Sequence, residues 1–154
     1  MTAIVLIISS GCSPSEDSMR KKVHDFATDY TAAWCSQQPI RVAEHFAENG
    51  SLKINDGAAS VGRDAIKNAA QGFMTAFPDM VVKMDSLEVQ GTHAVYHWTL
   101  TGTNSGPNGT GKSVRIHGYE EWTLAPNGLI QTSLGHYDQA EYDRQLQHGA
   151  PPPE

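Results

Sequence analysis

Two carboxyl groups and an imidazole in the C-terminal part of the chain, those of Glu120, His136 and Asp138, are the residue types that general acid–base catalysis uses. They fall in two segments that alternate between apolar and polar residues, a pattern typical of half-buried β-strands. Successive side chains of a strand point to opposite faces, so Glu120 shares a face with Ile116 and Trp122. A carboxyl group on that apolar face loses hydration, which raises its pKa toward the range useful for abstracting a proton beside a carbonyl group.

The relation between the two segments depends on the register of the hairpin that joins them. A turn that aligns Leu124 with Ile130 places the even-numbered residues of both strands on one face. The inner residues of the last strand are then Ile130, Thr132, Leu134, His136 and Asp138. Glu120 lies opposite Leu134 and diagonal to His136 on this alignment. Three interpretations stay open: catalytic use, a structural pair of Glu120 with His136, or a register shifted by one residue that turns both side chains to solvent.

The rest of a pocket wall would come from aromatic and apolar side chains at inward-facing positions. These candidates are Tyr30, Phe73, Phe77, Trp98, Trp122 and Leu134. The phenol of Tyr30 can reach the mouth of a cavity from the first helix, although residues at such spacings also serve as plain core. No CxxC, HExxH or other metal-binding spacing occurs, so neither a metal nor a cofactor is expected.

The elements that must position these residues are three helices, with a short strand at 51–55 between the second and the third, followed by four further strands. Apolar residues recur at helical spacing from Asp17 to Trp34, from Ile40 to Ala47 after Pro39, and from Gly62 to Phe77, where Pro78 ends the third helix. The period then changes to two, and the strands predicted are 81–89, 93–103, 113–124 and 129–138, with a loop at 104–112 and a last helix at 139–147.

This order of elements predicts the fold class. Helices that precede a long meander pack together on one side of the sheet, the α+β arrangement. We therefore expect a cone-shaped domain with N-terminal helices packed on a curved antiparallel sheet. Its 154 residues, 39% of them hydrophobic, suffice for one such domain.

The N-terminal segment differs from the rest. Residues 3–8 form an apolar run too short to span a bilayer, and small residues follow it up to Cys12. Residues 1–12 resemble a bacterial lipoprotein signal, which implies lipidation of Cys12, export and a place on the periplasmic face of the cell envelope. A buried N-terminal strand is the alternative. On the first interpretation 13–19 are a tether, 20–148 the folded domain and 149–154 a disordered tail.

Charge and surface pattern bear on partners. The formal net charge is −6, which argues against the basic surface that nucleic-acid binding needs. The outer face of the sheet is predicted to carry a polar and aromatic patch that suits a homodimer. Its members are Arg115, His117, Tyr119, Glu121, Gln131 and Ser133.

Several short motifs together resemble the nuclear transport factor 2-like superfamily and, within it, the SnoaL-like proteins, whose founding activity is polyketide cyclisation. The motifs are FAENG at 46–50, GRDAI at 62–66, FPDM at 77–80, WTLTGT at 98–103 and GLI at 128–130. The resemblance implies the cone-shaped fold and an acid–base role for Asp138 near the end of the last strand. Dimers are common among the proteins that the chain resembles.

The sequence thus predicts a protein that binds a small hydrophobic carbonyl compound, with cofactor-free acid–base chemistry of the cyclase or isomerase type. Asp138 or Glu120 would be the base and His136 would assist it. The alternative is a non-enzymatic ligand-binding or accessory lipoprotein of the cell envelope.

Overall fold

The computed structural model describes residues 14–152. The helices are α1 (Pro14–Cys35), α2 (Pro39–Glu44), α3 (Arg63–Ala76) and α4 (Gln139–His148). The strands are β1 (Phe46–Ile54), β2 (Ser60–Val61), β3 (Val81–Gln90), β4 (His93–Thr103), β5 (Ser113–Leu124) and β6 (Ile130–Tyr137).

The six strands form one mixed sheet in the order β2-β1-β6-β5-β4-β3. Neighbouring strands are antiparallel except β1 and β6, which run parallel. The helical side chains of Ala27, Tyr30, Ile66 and Met74 join the sheet residue Trp122 in a single buried core. The predicted α+β fold with N-terminal helices on a sheet is confirmed, and the parallel pair is the one departure from the antiparallel meander.

The first helix begins before the predicted folded domain does. Residues 14–19, for which the sequence predicts a tether, are exposed first turns of α1. The predicted signal and Cys12 lie outside the described residues. Within 14–152, no helix combines the length and the apolar character that crossing a membrane requires.

The C-terminal segment, predicted as a disordered tail, has contacts in its described part. The backbone N–H of Ala150 donates to the carbonyl of Ser113 at 2.7 Å. The guanidinium of Arg115 donates to the carbonyls of Pro151 at 3.0 Å and Pro152 at 3.2 Å. Residues 149–152 are therefore held against the start of β5.

The second helix ends earlier than its sequence pattern predicts, because tertiary pairing takes over. Pro39 occupies the first turn as expected. The helix stops at Glu44 rather than near Ala47, and Phe46 pairs with Ile130 of β6. The N–H of Ile130 donates to the carbonyl of His45 at 2.9 Å, so β6 directs this segment into the sheet.

One irregularity in the hairpin of β5 and β6 decides which residues face the core. Leu124 pairs with Ile130, as predicted, but Thr123 pairs with Thr132. The extra residue, Gln131, is a bulge that shifts the alternation by one position. From Thr132 onward the odd-numbered residues of β6 therefore face inward, not the even-numbered ones.

Candidate functional site

The carboxyl group of Glu120 lies buried on the inner face of β5, directly opposite Gly135. Three donors converge on its Oε2 atom: the Ser133 hydroxyl at 2.7 Å, the Trp122 indole N–H at 2.8 Å and the Tyr30 hydroxyl at 3.1 Å. Its Oε1 atom has only a longer contact with Tyr30, at 3.4 Å. The two oxygens of this carboxyl group are therefore in different environments.

Burial sets the protonation behaviour of this group. Desolvation raises the pKa of Glu120 above its usual 4.5, although the hydrogen bonds from Trp122, Ser133 and Tyr30 act in the opposite direction. Burial, reinforced by the nearby charge of Glu120, raises the pKa of Tyr30 well above its ordinary value. Tyr30 therefore stays protonated and donates. When Glu120 takes up a proton, Oε1 receives it, because three donors already occupy Oε2.

A cavity of about 60 Å³ adjoins Glu120, with a wall that is almost entirely apolar. It lies between the inner face of the sheet and helices α1 and α3, and its lining includes Trp34, Phe73, Tyr96, Trp98, Glu120 and Tyr137. Tyr96 and Glu120 are buried, whereas Phe73, Trp98 and Tyr137 are half-exposed. Glu120 is thus at the closed end of the cavity, and the half-exposed rings form its mouth.

The indole N–H of Trp98 is buried and has no hydrogen-bond partner. Its ring lies over Gly118, its cross-strand neighbour, where a β-carbon would come within 2.3 Å of the indole. The hydroxyl of Tyr96, by contrast, is bonded to Thr31 at 2.7 Å. Trp98 therefore keeps a buried, unpaired donor beside the cavity that Glu120 also lines.

His136 does not accompany Glu120. The bulge at Gln131 turns it to the outer face, where its ring stacks on Tyr119 at 4.7 Å and Nε2 lies 2.9 Å from Glu121. Leu134 is on the same outer face and is 39% exposed. The predicted inward row of Leu134 and His136 is wrong, and so is the structural pair of His136 with Glu120.

Asp138 acts locally at the start of α4. It is the N-cap residue, exposed, and its carboxylate accepts from the backbone N–H of Glu141 at 2.9 Å. The structure thus places Asp138 away from Glu120, in a helix-capping role.

Substitutions at Asp138 test this capping role. Asp138→Asn keeps an equally good cap and should leave both stability and any turnover near wild type, while Asp138→Ala should cost about 1 kcal/mol of unfolding free energy. Urea denaturation of the two variants measures the difference. A loss of turnover in Asp138→Asn with unchanged stability would instead restore the acid–base role.

On the outer side of the sheet, a wider and more polar cleft of about 630 Å³ lies beside β1, β5 and β6. Its wall includes Lys53, Asn55, His117, Tyr119, His136 and Asp138. Among residues 14–152, no three His, Cys, Asp or Glu side chains are grouped so that they could hold a metal ion.

A family model described as SnoaL-like polyketide cyclase matches residues 24–146. The chain belongs to the SnoaL-like family. A search among curated proteins found no match.

Solved structures share the fold of this SnoaL-like protein. One from Jannaschia sp. CCS1, assigned to the SnoaL-like polyketide cyclases, is 18% identical with a TM-score of 0.77 and covers 94% of this chain and 100% of its own. A phenazine biosynthesis-related protein from Pseudomonas aeruginosa is 18% identical, with a TM-score of 0.75 and coverages of 96% and 93%. A hypothetical protein with a ketosteroid isomerase-like fold from Catenulispora acidiphila DSM 44928, in complex with trimethylamine, is 17% identical, with a TM-score of 0.68 and coverages of 76% and 88%.

The remaining pocket predictions divide between cavity and core of the SnoaL-like domain. Phe73 and Trp98 line the cavity. Trp122 and Tyr30 lie behind it as fully buried core residues that bond Glu120, and Phe77 is fully buried without lining the cavity.

Sequence reasoning missed Trp34 and Tyr96 in the cavity lining, and three residues of β6: Ser133, Gly135 and Tyr137. All three are odd-numbered residues of β6, which the predicted alignment turned outward, and Ser133 was assigned to the outer patch although it is fully buried. The available signal was the pair of glycines at 118 and 135, because glycine within a strand marks a place where something else approaches closely.

Proposed function

We propose that this SnoaL-like protein binds a small hydrophobic carbonyl compound in the cavity beside Glu120 and transfers one of its protons. The observation that carries the proposal is a buried carboxyl group at the closed end of an apolar cavity, with one oxygen held by three donors and the other nearly unengaged. Such a group has a fixed orientation and a raised pKa, the two properties that a general base requires.

The proposed step needs only the carboxylate. Oε1 takes a proton from the carbon next to the carbonyl group, and the electron pair of that C–H bond forms the enolate. Return of the proton to the same carbon gives exchange, and its return to another carbon gives isomerisation. Ring closure follows when the enolate carbon attacks a second carbonyl carbon, whose oxygen then takes the proton. Each outcome conserves the atoms of the substrate.

The alternative is a non-enzymatic ligand-binding or accessory protein, which the small volume of the cavity favours. The three hydrogen bonds to Glu120 would then serve the core alone. The two proposals differ in one measurement, because only the enzyme exchanges the α-protons of a bound ketone with solvent.

Gly135 offers a direct test of ligand binding in the cavity. A β-carbon there would have its nearest neighbours at 3.5 Å, the carbonyl oxygen of Lys53, and at 3.8 Å, the side chain of Glu120. Gly135→Ala therefore adds a methyl group to the cavity wall without displacing the backbone. We expect it to lower the affinity for cyclohexanone about tenfold, while the unliganded protein keeps its melting temperature within a few degrees.

Thermal shift over a cyclohexanone titration measures both effects, since a ligand that binds only the native state raises the melting temperature by mass action. Equal ligand-induced shifts in wild type and Gly135→Ala would place the binding elsewhere. An absence of shift in the wild type would end the proposal for this ligand class.

For location, we propose that the protein is exported and anchored at the cell envelope through a lipid on Cys12, as the N-terminal sequence suggests. Radiolabelled palmitate should enter the wild-type protein and not Cys12→Ser. Label in both, or in neither, contradicts the anchor.

For assembly, we propose a homodimer through the outer sheet face. Tyr119 and Leu134 are 38% and 39% exposed there, beside the His136 ring. Sedimentation equilibrium should give twice the monomer mass, and Leu134→Glu should shift it toward the monomer. A monomer at high concentration refutes the proposal.

A further inference from the structure

We infer that the indole N–H of Trp98 is the donor that holds the carbonyl oxygen of the ligand, and that the ligand is a compact ketone no larger than about one ring. This inference rests on the proposed function and adds to it the group that recognises the ligand. Two observations carry it: the Trp98 N–H is buried without a partner, and Trp98 lines the same cavity as Glu120.

A buried donor without a hydrogen-bond partner lowers the stability of the folded state. The large majority of buried polar side-chain atoms have a hydrogen-bond partner, and leaving one without costs about 1–3 kcal/mol. A phenylalanine would fill much of the same space with no such cost. The indole N–H is explained if an acceptor reaches it when the cavity is occupied, because the ligand then recovers the missing hydrogen bond.

The two buried phenols beside Glu120 are already engaged. The Tyr30 hydroxyl donates to Glu120, and the Tyr96 hydroxyl is bonded to Thr31 at 2.7 Å. A carbonyl oxygen that entered the cavity would have to displace one of these bonds to use either phenol. The Trp98 N–H can donate to such an oxygen without losing an existing hydrogen bond.

The register of the sheet sets the size of the ligand. Tyr96 pairs with Glu120, and Trp98 pairs with Gly118, so Trp98 and Glu120 are diagonal neighbours on the inner face. Diagonal neighbours on antiparallel strands are about 7–8 Å apart. A carbonyl oxygen on one and an α-carbon against the other must therefore belong to one small ring or short chain. Part of such a ligand would enter the cavity of about 60 Å³, and the rest would lie between the half-exposed rings at its mouth.

The same placement gives Trp98 a part in the proposed reaction. As Glu120 removes the α-proton, negative charge moves to the carbonyl oxygen, and a donor already aimed at that oxygen stabilises it more than it stabilises the neutral ketone. Trp98 and Glu120 would then act on the two ends of one enolate.

The test compares cyclohexanone with methylenecyclohexane, which has nearly the same shape but no oxygen acceptor. Trp98→Phe keeps an aromatic ring and removes the donor. We expect it to lower the affinity for cyclohexanone about tenfold and to leave that for methylenecyclohexane unchanged. Tyr142→Phe is the matched control, since Tyr142 packs on Tyr137 with ring centroids 5.5 Å apart and does not line the cavity. It should leave the ratio of the two affinities at the wild-type value.

A second measurement uses the wild-type protein and does not depend on the folding of a variant. In a ¹⁵N-labelled sample the indole N–H proton of Trp98 should move downfield on addition of cyclohexanone and stay in place with methylenecyclohexane. Two results would overturn the Trp98 assignment alone. Either Trp98→Phe lowers the affinity for both ligands equally, or the indole proton does not shift although cyclohexanone binds. Failure of wild type to bind either ligand would instead refute the proposed function, and this inference with it.

Discussion

Replacing Glu120 with glutamine is expected to slow the exchange of cyclohexanone α-protons in D₂O by two to four orders of magnitude. Glutamine keeps the size of the side chain, and its amide oxygen can take the position of Oε2 and accept from Trp122 and Ser133. The NH₂ group then stands in place of Oε1 and cannot accept a proton. Loss of signal from the α-protons, followed by NMR, measures the rate.

The pH dependence of the wild-type rate gives a second readout on the same group. The active form is the carboxylate, so exchange should increase as pH rises through the raised pKa of Glu120 and then level off. Tyr30→Phe removes one of the hydrogen bonds that lower this pKa, and the inflection should move to higher pH. If Glu120→Gln still exchanges the α-protons at the wild-type rate, or if the pH of the inflection is unchanged in Tyr30→Phe, the base is another residue.

The stability of the protein should vary with pH in the same interval, with the opposite sign. Because burial raises the pKa of Glu120 in the folded state, its contribution to stability is fully present below the unfolded value near 4.5 and is lost as pH rises through the folded pKa. Urea unfolding should therefore show wild type losing stability relative to Glu120→Gln over this range. Parallel stability curves would mean that Glu120 is not desolvated as the structure indicates.

The parts of this site that the sequence predicts are those governed by local patterns. Alternation along 113–124 correctly put Glu120 and Trp122 on the inner face, and Pro78 correctly ended the third helix. Both depend on neighbours within a few residues. The same holds for the loop at 104–112 and the hairpin before it, whose boundaries the structure reproduces.

The parts that the sequence did not predict depend on distant partners. The pairing of Leu124 with Ile130 was correct, yet a single bulged residue, Gln131, reversed the faces of everything that follows in β6. For this reason His136 lies on the outer face and not in the predicted site, and Ser133 lies in the site although it was predicted to face outward. Nothing in the alternation of 129–138 indicates the bulge, because polar and apolar residues of similar size occur at both parities there.

Tyr30 shows a different limit. Its helical spacing correctly predicted that it faces the sheet, but the partner of its hydroxyl, Glu120, is 90 residues away in the sequence. Periodicity can assign a side chain to a face, whereas the identity of what it meets requires the relative position of helix and strand. The convergence of Tyr30, Trp122 and Ser133 on one oxygen could not be derived from any one of the three segments.

The largest stability effect is expected at Gly118, where the fold makes room for the Trp98 indole. A β-carbon at this position would lie 2.3 Å from the indole ring and 2.6 Å from the carbonyl oxygen of His136. The second neighbour is backbone of a central strand and cannot move aside as a side chain can. Gly118→Ala should therefore lower the free energy of unfolding by about 3 kcal/mol and the melting temperature by roughly 6–12 °C.

Gly135→Ala is the matched control for this prediction, because it adds the same methyl group on the same face, beside Glu120, with no neighbour closer than 3.5 Å. It should remain within about 1 kcal/mol of wild type by urea denaturation. Combining Gly118→Ala with Trp98→Leu separates the two contacts: removing the ring should recover part of the loss and leave the part due to the His136 carbonyl. Equal stabilities for the two alanine variants would mean that the indole does not lie on Gly118, and the proposed role of Trp98 in ligand binding would then be wrong.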